Sequence, residues 1–244
     1  MDHPHPLVWQ GPIGDELAAR PTVHSTPRFH GRVWSVHSED VAWEHSTIRR
    51  DVVRHLGAVA VVVVDDEDRV LLIRQYRHPV GMFLAEIPAG LLDIPGEAPL
   101  VTAQRELAEE AGLGAARWNI LLDFLNSPGG SSEALRIYLA RDATALPGGR
   151  PHTGEAEEAE LPQAWVPLEE AVDSILSGRI QNAAAVCGIL GAYAARQAGW
   201  RNLREAEAPW PARDHLRSTG RLHGMPLACE EQAVPSPDDQ GSSG

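Results

Sequence analysis

The stretch from Gly90 to Leu113, GLLDIPGEAPLVTAQRELAEEAGL, constrains this chain more than any other. It opens as a glycine-bearing loop and becomes a carboxylate-rich helix. At about 100° per residue, Glu106 and Glu110 share one helical face, with Glu109 beside them. Leu100, Ala103, Leu107 and Ala111 form an apolar stripe on the opposite side. Pro99 suits a first helical turn, and Gly112 suits the stop. Carboxylates at i, i+4 repel, so this face needs compensation. Arg105 can pair with Glu109, but Glu106 and Glu110 lack a basic partner at that spacing. A hard divalent cation would supply the missing charge, since it takes oxygen ligands and keeps substrate phosphates in its shell. An ordinary solvated acidic helix is the alternative.

Composition narrows the rest. The 244 residues allow one large domain or two small ones, and 43% hydrophobic content supports a real core. A formal charge of −13 argues against a nucleic-acid binder, which needs basic surface against phosphates. An anionic substrate would then need local cations, from a metal or from arginine. The sequence contains no lysine; all 21 basic residues are arginine. That excludes a Walker-A phosphate loop, Schiff-base chemistry and a pyridoxal-phosphate site together. Cys187 and Cys229 form neither a CxxC pair nor a zinc spacing, which fits a reducing cytoplasm. MDHPHPLVWQ lacks the pattern of a signal peptide. The apolar run Ala58 to Val64 is too short to span a bilayer, so no membrane association is expected.

In chain order, residues 1 to about 28 read as an arm with little structure of its own. From Phe29 to Val53, short alternating runs predict a small antiparallel meander. It is too small to stand alone, and packs on the main domain or on a second subunit. Gly57 to Val64 is a continuous β-branched run, a buried strand. Asp65-Asp66-Glu67-Asp68 is a turn, and Val70 to Tyr76 is read as the partner strand. That strand ends in Arg74, Tyr76 and Arg77, where two arginines and an aromatic can clamp phosphate and stack a base. Exposed arginines on an edge strand are the alternative. Glu86 is out of place in the apolar FLAEIPA unless it meets a cation or an arginine. Strands are expected over 118–124, 135–140 and 164–168, and helices over 169–177 and 182–198. The loop Ser127 to Glu133 lies between two of these strands, and an acidic run spans Glu155 to Glu160. Beyond Glu205 the periodicity fades.

The stretch resembles the Nudix box: Gly, five residues, Glu, seven residues, then Arg-Glu-apolar-x-Glu-Glu-x-Gly-apolar. Glu97 is followed by seven residues and then RELAEEAGL. Six residues, not five, separate Gly90 from Glu97; the extra one falls in a loop, where insertion is cheap. The resemblance runs over roughly residues 29 to 200. A β meander, a strand ending QYR, E-x-PAG before the box and SPGGSSE after it look like the ADP-ribose pyrophosphatase branch.

That resemblance implies an α/β Nudix fold, a mixed β-sheet sandwiched between helices, with an N-terminal antiparallel β domain. Residues 1–54 would form the arm and dimerisation meander, 55–205 the catalytic domain, and 206–244 a largely disordered tail. It implies Mg²⁺-dependent (or Mn²⁺-dependent) cleavage of ADP-ribose to AMP and ribose 5-phosphate by a cytoplasmic homodimer with exchanged N-terminal domains. Glu106 and Glu110 would hold the metal, assisted by Glu109, Glu97 and the Ala89 carbonyl, with Arg105 orienting the carboxylates. Arg74, Tyr76, Arg77, Glu86 and Gly90 would meet substrate, and Glu133 would reach the terminal ribose. The branch carries its general base on a loop after the box, which here selects Glu157 or Glu158. A nucleotide sugar, NADH or a flavin dinucleotide is the alternative substrate. A non-catalytic ADP-ribose-binding regulator is the alternative function.

Overall fold

A computed structural model of the chain describes residues 11–151 and 161–224. Three strands open it: β1 (Thr22–His30), β2 (Trp34–Trp43) and β3 (Ser46–His55), an antiparallel meander in that order. The arm expected over the first 28 residues is therefore partly strand. Pro27 lies within β1, and the pairing slips beside it, between Pro27 and Phe29. Edge strands tolerate proline and bulges, so the proline did not end the strand. The buried side chains of this sheet are polar: Ser35, Ser38, and the ion pair of Arg54 Nη2 with Glu39 Oε1 at 3.0 Å.

The hydrophobic core belongs to the next strands. β4 (Ala58–Val63) is buried at every residue. Alternate side chains of a strand face opposite sides, and β4 uses both. Val59, Val61 and Val63 pack with Leu71, Ala103, Leu107 and Tyr138. Ala58, Ala60 and Val62 pack with Ile87, Ile137, Leu168 and Ile189. A strand buried on both faces needs neighbours on both edges. β4 pairs in parallel with β9 (Ala134–Ala145) and antiparallel with β7 (Ala89–Leu91). β8 (Leu113–Leu125) and the two-residue β11 (Arg204–Glu205) complete a five-stranded mixed sheet, β11-β8-β9-β4-β7.

β5 (Arg69–Arg77) is not the partner of β4 that the adjacent sequence suggested. After the Asp65 turn, only the bridge Val64↔Val70 joins them. Both edges of β4 are already taken. β5 instead pairs with β6 (Met82–Glu86) and β10 (Gln163–Pro167) in a separate antiparallel sheet.

Helices cover both faces of the mixed sheet. The helix α1 (Pro99–Glu106) brings Ala103 to one core. On the other side lie α2 (Leu168–Leu176) and α3 (Ala183–Gln197). Asn182 caps α3 by accepting from the Ala185 N–H at 2.9 Å. Gly188 lets α3 press onto β4: a Cβ there would stand 2.7 Å from Val62 Cγ2.

Beyond Glu205 the chain carries more structure than its composition suggested. It forms α4 (Pro211–Ser218) and buries Trp210. The Arg136 guanidinium lies 4.6 Å from the Trp210 ring centroid and donates to the Ala208 and Pro209 carbonyls at 2.9 and 3.0 Å. One aromatic anchor holds this segment, which periodicity cannot reveal. Trp210→Ala should therefore cost ~3–5 kcal/mol of stability by denaturant unfolding. An unchanged midpoint would mean that residues 206–224 do not dock.

Candidate active site

The site forms where β7 approaches the C-terminal half of the 90–113 stretch. Ile94-Pro95-Gly96-Glu97 makes a turn, closed by the Glu97 N–H on the Ile94 carbonyl at 3.1 Å. Pro at the second position and Gly96 at φ 81 at the third suit a type II turn, which absorbs the extra loop residue. Pro99 then starts α1. The helix does not continue in regular α form: Leu107–Ala111 is a π-helical turn, closed by Gly112 at φ 67. The strict i, i+4 geometry expected for Glu106 and Glu110 therefore widens at its end. Such turns recur at functional sites.

Three carboxylates meet at Arg105, and a fourth, Glu110, lies against the Ala89 N–H of β7. Arg105 donates to Glu97 Oε1 and Oε2 at 3.2 and 3.1 Å, to Glu106 Oε1 at 2.7 Å and to Glu109 Oε2 at 3.0 Å. The expectation that Glu106 lacks a basic partner is thus corrected; its neighbour supplies one. Thr102 Oγ1 also donates to Glu97 at 2.8 Å. Arg105, and then Thr102, hold the Glu97 carboxyl below its ordinary range despite partial desolvation. Glu110 is buried, and its Oε2 accepts the Ala89 N–H at 2.9 Å. Gly90 is required by contact: a Cβ there would lie 2.0 Å from the Glu106 carboxyl. No larger residue lets Glu106 come this close to β7.

These donors fit a hard cation. They are carboxylate oxygens on one helix end, beside a strand backbone. Among the described residues, no three or more His, Cys, Asp or Glu side chains are placed so that together they could hold a metal ion. Mg²⁺ does not require such a set, since it is usually held by one or two carboxylates plus substrate phosphates and water.

The β5–β6 hairpin carries the second group, and the strand period divides it. Arg77 turns to Glu86, with Nε to Oε1 at 3.0 Å and Nη2 to Oε2 at 2.7 Å. The buried Glu86 has met the arginine that its place in an apolar strand demanded. Arg74 and Tyr76 are on the opposite, exposed face, where Arg74 lies 4.7 Å from the Phe83 ring and Tyr76 packs 5.3 Å from it. Arg74 and Arg77, grouped as one clamp by sequence, are therefore not brought together. Glu133 accepts from Asn126 Nδ2 at 2.7 Å, and His55 Nε2 lies 3.9 Å from it. The loop that carries Glu133 is tied to β3 by Val53 N–H on the Gly130 carbonyl (2.8 Å) and Ser132 N–H on the Val53 carbonyl (2.9 Å).

A family model described as NUDIX domain matches residues 54–186. The chain belongs to the Nudix hydrolase family. An ADP-ribose pyrophosphatase of Mycobacterium tuberculosis is 39% identical over 190 residues, 78% of this chain and 90% of that protein. An ADP-ribose pyrophosphatase of Bacillus subtilis is 35% identical, over 66% of this chain and 86% of its own length. A methanol dehydrogenase activator of Bacillus methanolicus is 33% identical, over 71% and 92%. A solved structure described as an ADP compounds hydrolase superposes with TM-score 0.62 and 25% identity, covering 77% of this chain and all of that one.

Within this Nudix domain, Glu157 and Glu158 lie outside the described residues. Two residues that sequence reasoning did not single out, Arg150 and Gln163, reach the box helix at the Glu110 carbonyl. A glycine-rich loop and a strand start gave no signal for either. A cavity of about 690 Å³ opens between the box loop and α4, lined in part by Glu97, Leu100, Trp210 and Arg213. None of Arg74, Tyr76, Arg77, Glu106, Glu110 and Glu133 lines it. No described helix is long and apolar enough to cross a membrane.

Gly90→Ala tests the site most sharply. It should displace Glu106 and cut turnover by about 10²-fold or more, while overpacking costs only ~1–3 kcal/mol of stability. Full turnover in a folded Gly90→Ala variant would show that the Gly90–Glu106 contact is not needed.

Proposed function

We propose that this chain hydrolyses the pyrophosphate of ADP-ribose to AMP and ribose 5-phosphate. The observation that supports this most is the Arg105-centred carboxylate group closed over Gly90, set in a chain whose relatives include two ADP-ribose pyrophosphatases. Mg²⁺, or Mn²⁺, bound by Glu106 and Glu110 with Glu109, Glu97 and the Ala89 carbonyl near, would neutralise phosphate charge and acidify the attacking water. Arg105 holds Glu97, Glu106 and Glu109 in place. Arg74 and Tyr76 offer a cation and a ring on the exposed hairpin face for the nucleotide. Glu86 holds Arg77, and Glu133 presents a carboxylate to a sugar hydroxyl.

A carboxylate beside a cation is a poor proton acceptor, because the charge depresses its pKa. Glu97 beside Arg105 is an example. The proton of the attacking water therefore goes to a separate base, and we assign it to Glu157 or Glu158. The working unit is a cytoplasmic homodimer. The N-terminal sheet buries the polar Glu39–Arg54 pair while Phe29, Trp34 and Trp43 remain exposed, so it needs an apolar partner surface.

Purified protein should release AMP from ADP-ribose faster than it cleaves nucleotide sugars, NADH or flavin dinucleotide. Glu106→Gln and Glu110→Gln should each lower turnover by about 10²-fold or more, with the fold retained. Of Glu157→Gln and Glu158→Gln, one should lose about 10²-fold and the other little. Full activity in excess chelator, or a better substrate elsewhere in the panel, would replace this reading. Sedimentation of the full chain should give a dimer; an active monomer would refute the assembly.

A further inference from the structure

Glu110 is gripped at both its ends. Its side chain accepts the Ala89 N–H at 2.9 Å. Its backbone carbonyl accepts from two side chains that arrive from outside the helix. Arg150 donates through both Nε, at 2.8 Å, and Nη2. Gln163 Nε2 donates at 3.1 Å.

The location explains why this carbonyl is available. Gly112 ends the helix two residues later, so the last carbonyls have no amide ahead of them in the helix. The end of a helix also carries partial negative charge, which favours a guanidinium there. Gly112 makes the approach sterically feasible: a Cβ on it would stand 3.1 Å from Arg150 Cγ and 3.3 Å from Arg150 N. The Leu146 N–H on the Gly112 carbonyl, at 2.9 Å, fixes the chain leading to Arg150. Gln163 is fixed from the other side by its place in β10 opposite Ile73 of β5. A mobile surface arginine would have none of these restraints.

We propose that Arg150 and Gln163 are positioning residues for Glu110. They hold the wide terminal turn from its backbone, so that the Glu110 carboxylate stays on the Ala89 N–H and faces the site. This rests on the reading of Glu110 as a metal-holding carboxylate, and it adds two residues that lie outside the box. Both act through the Glu110 carbonyl. Releasing the carbonyl lets the turn relax toward regular helix, and the carboxylate leaves Ala89.

The test uses the full chain with Arg150→Met and Gln163→Leu, which keep the stems and remove the donors. Amide hydrogen exchange at Ala89, read by NMR without metal or substrate, reports the grip directly. Exchange at Ala89 should quicken by about tenfold in Arg150→Met and less in Gln163→Leu, and Arg150→Lys should restore part of the protection. Mn²⁺ binding, followed by electron paramagnetic resonance without substrate, should weaken by about 10-fold or more, as when a supporting partner of a metal ligand is lost. At saturating metal, KM should hold while kcat falls. In a Glu110→Gln background, Arg150→Met should add no further loss of Mn²⁺ affinity. Unchanged Ala89 exchange in both variants, with only a lower melting temperature, would overturn the proposal and leave the pair as simple helix caps. If the wild-type chain binds no Mn²⁺, the metal reading fails, while the Ala89 exchange still decides whether these residues position Glu110.

Discussion

The site depends on one cation. Arg105 places a single guanidinium among Glu97, Glu106 and Glu109, and without it two carboxylates of the box helix would repel each other and the Glu97 carboxylate of the preceding loop. The arginine is itself held firmly charged: its hydrogen bonds to Glu97 first, then the charge of Glu106 and the bond to Glu109, raise its pKa against desolvation. Its reach bridges the chain separation between Glu97 and the far end of the helix. Glu97 is on the loop, eight residues before Arg105, and is brought back by Thr102 from the helix interior. The loop, the helix start and the helix end are thus joined through one side chain. The remaining carboxylate, Glu110, is held by the strand backbone instead, at Ala89. Charge organises the helix, and a backbone amide aligns it to the sheet.

That alignment works only because the sheet is rigid beneath it. β4 sends alternate side chains into two cores, so it fixes α1 on one face and α3 on the other. β7 pairs with β4 at Ala60↔Ala89 and Val59↔Gly90. The two residues that meet the glutamates are therefore anchored to the most buried strand of the protein. A site that must hold carboxylates to within a fraction of an ångström gains from such a base. The N-terminal sheet has no comparable core, and its link to this region runs through Val53 and the loop carrying Glu133.

Local chemistry was legible in the sequence; pairing across distance was not. The α1 stripe, the β4 run and the α3 boundaries follow from period and capping, and each appears where these rules place it. β5 was misassigned because adjacency favoured a hairpin, whereas the edges of β4 were claimed by β7 and β9 from far along the chain. Most of β1 lies in the stretch that reads as an arm, and its edge position makes Pro27 tolerable within a strand. α4 was missed because its docking rests on Trp210 and Arg136, a contact between residues 74 apart. The π turn left no trace at all: LAEEAG reads as ordinary helix, and the carbonyl it offers to Arg150 and Gln163 depends on where two later segments return. Arg74 and Arg77 fall on opposite faces of β5, because strand alternation separates residues three apart.

The absence of lysine now has a structural counterpart. Arg105 uses its fork to reach three side chains, two of them through one nitrogen. Arg136 binds both oxygens of Asp123, two backbone carbonyls and the face of Trp210. Arg77 binds Glu86 in bidentate fashion. Each of these junctions needs several N–H vectors fixed in one plane. A compact ammonium on a flexible stem has no such plane, so lysine would keep the charge and lose the geometry. The arginines of this chain therefore act less as dispersed surface charge than as planar connectors, and the Arg105 junction is the one on which the carboxylate arrangement rests.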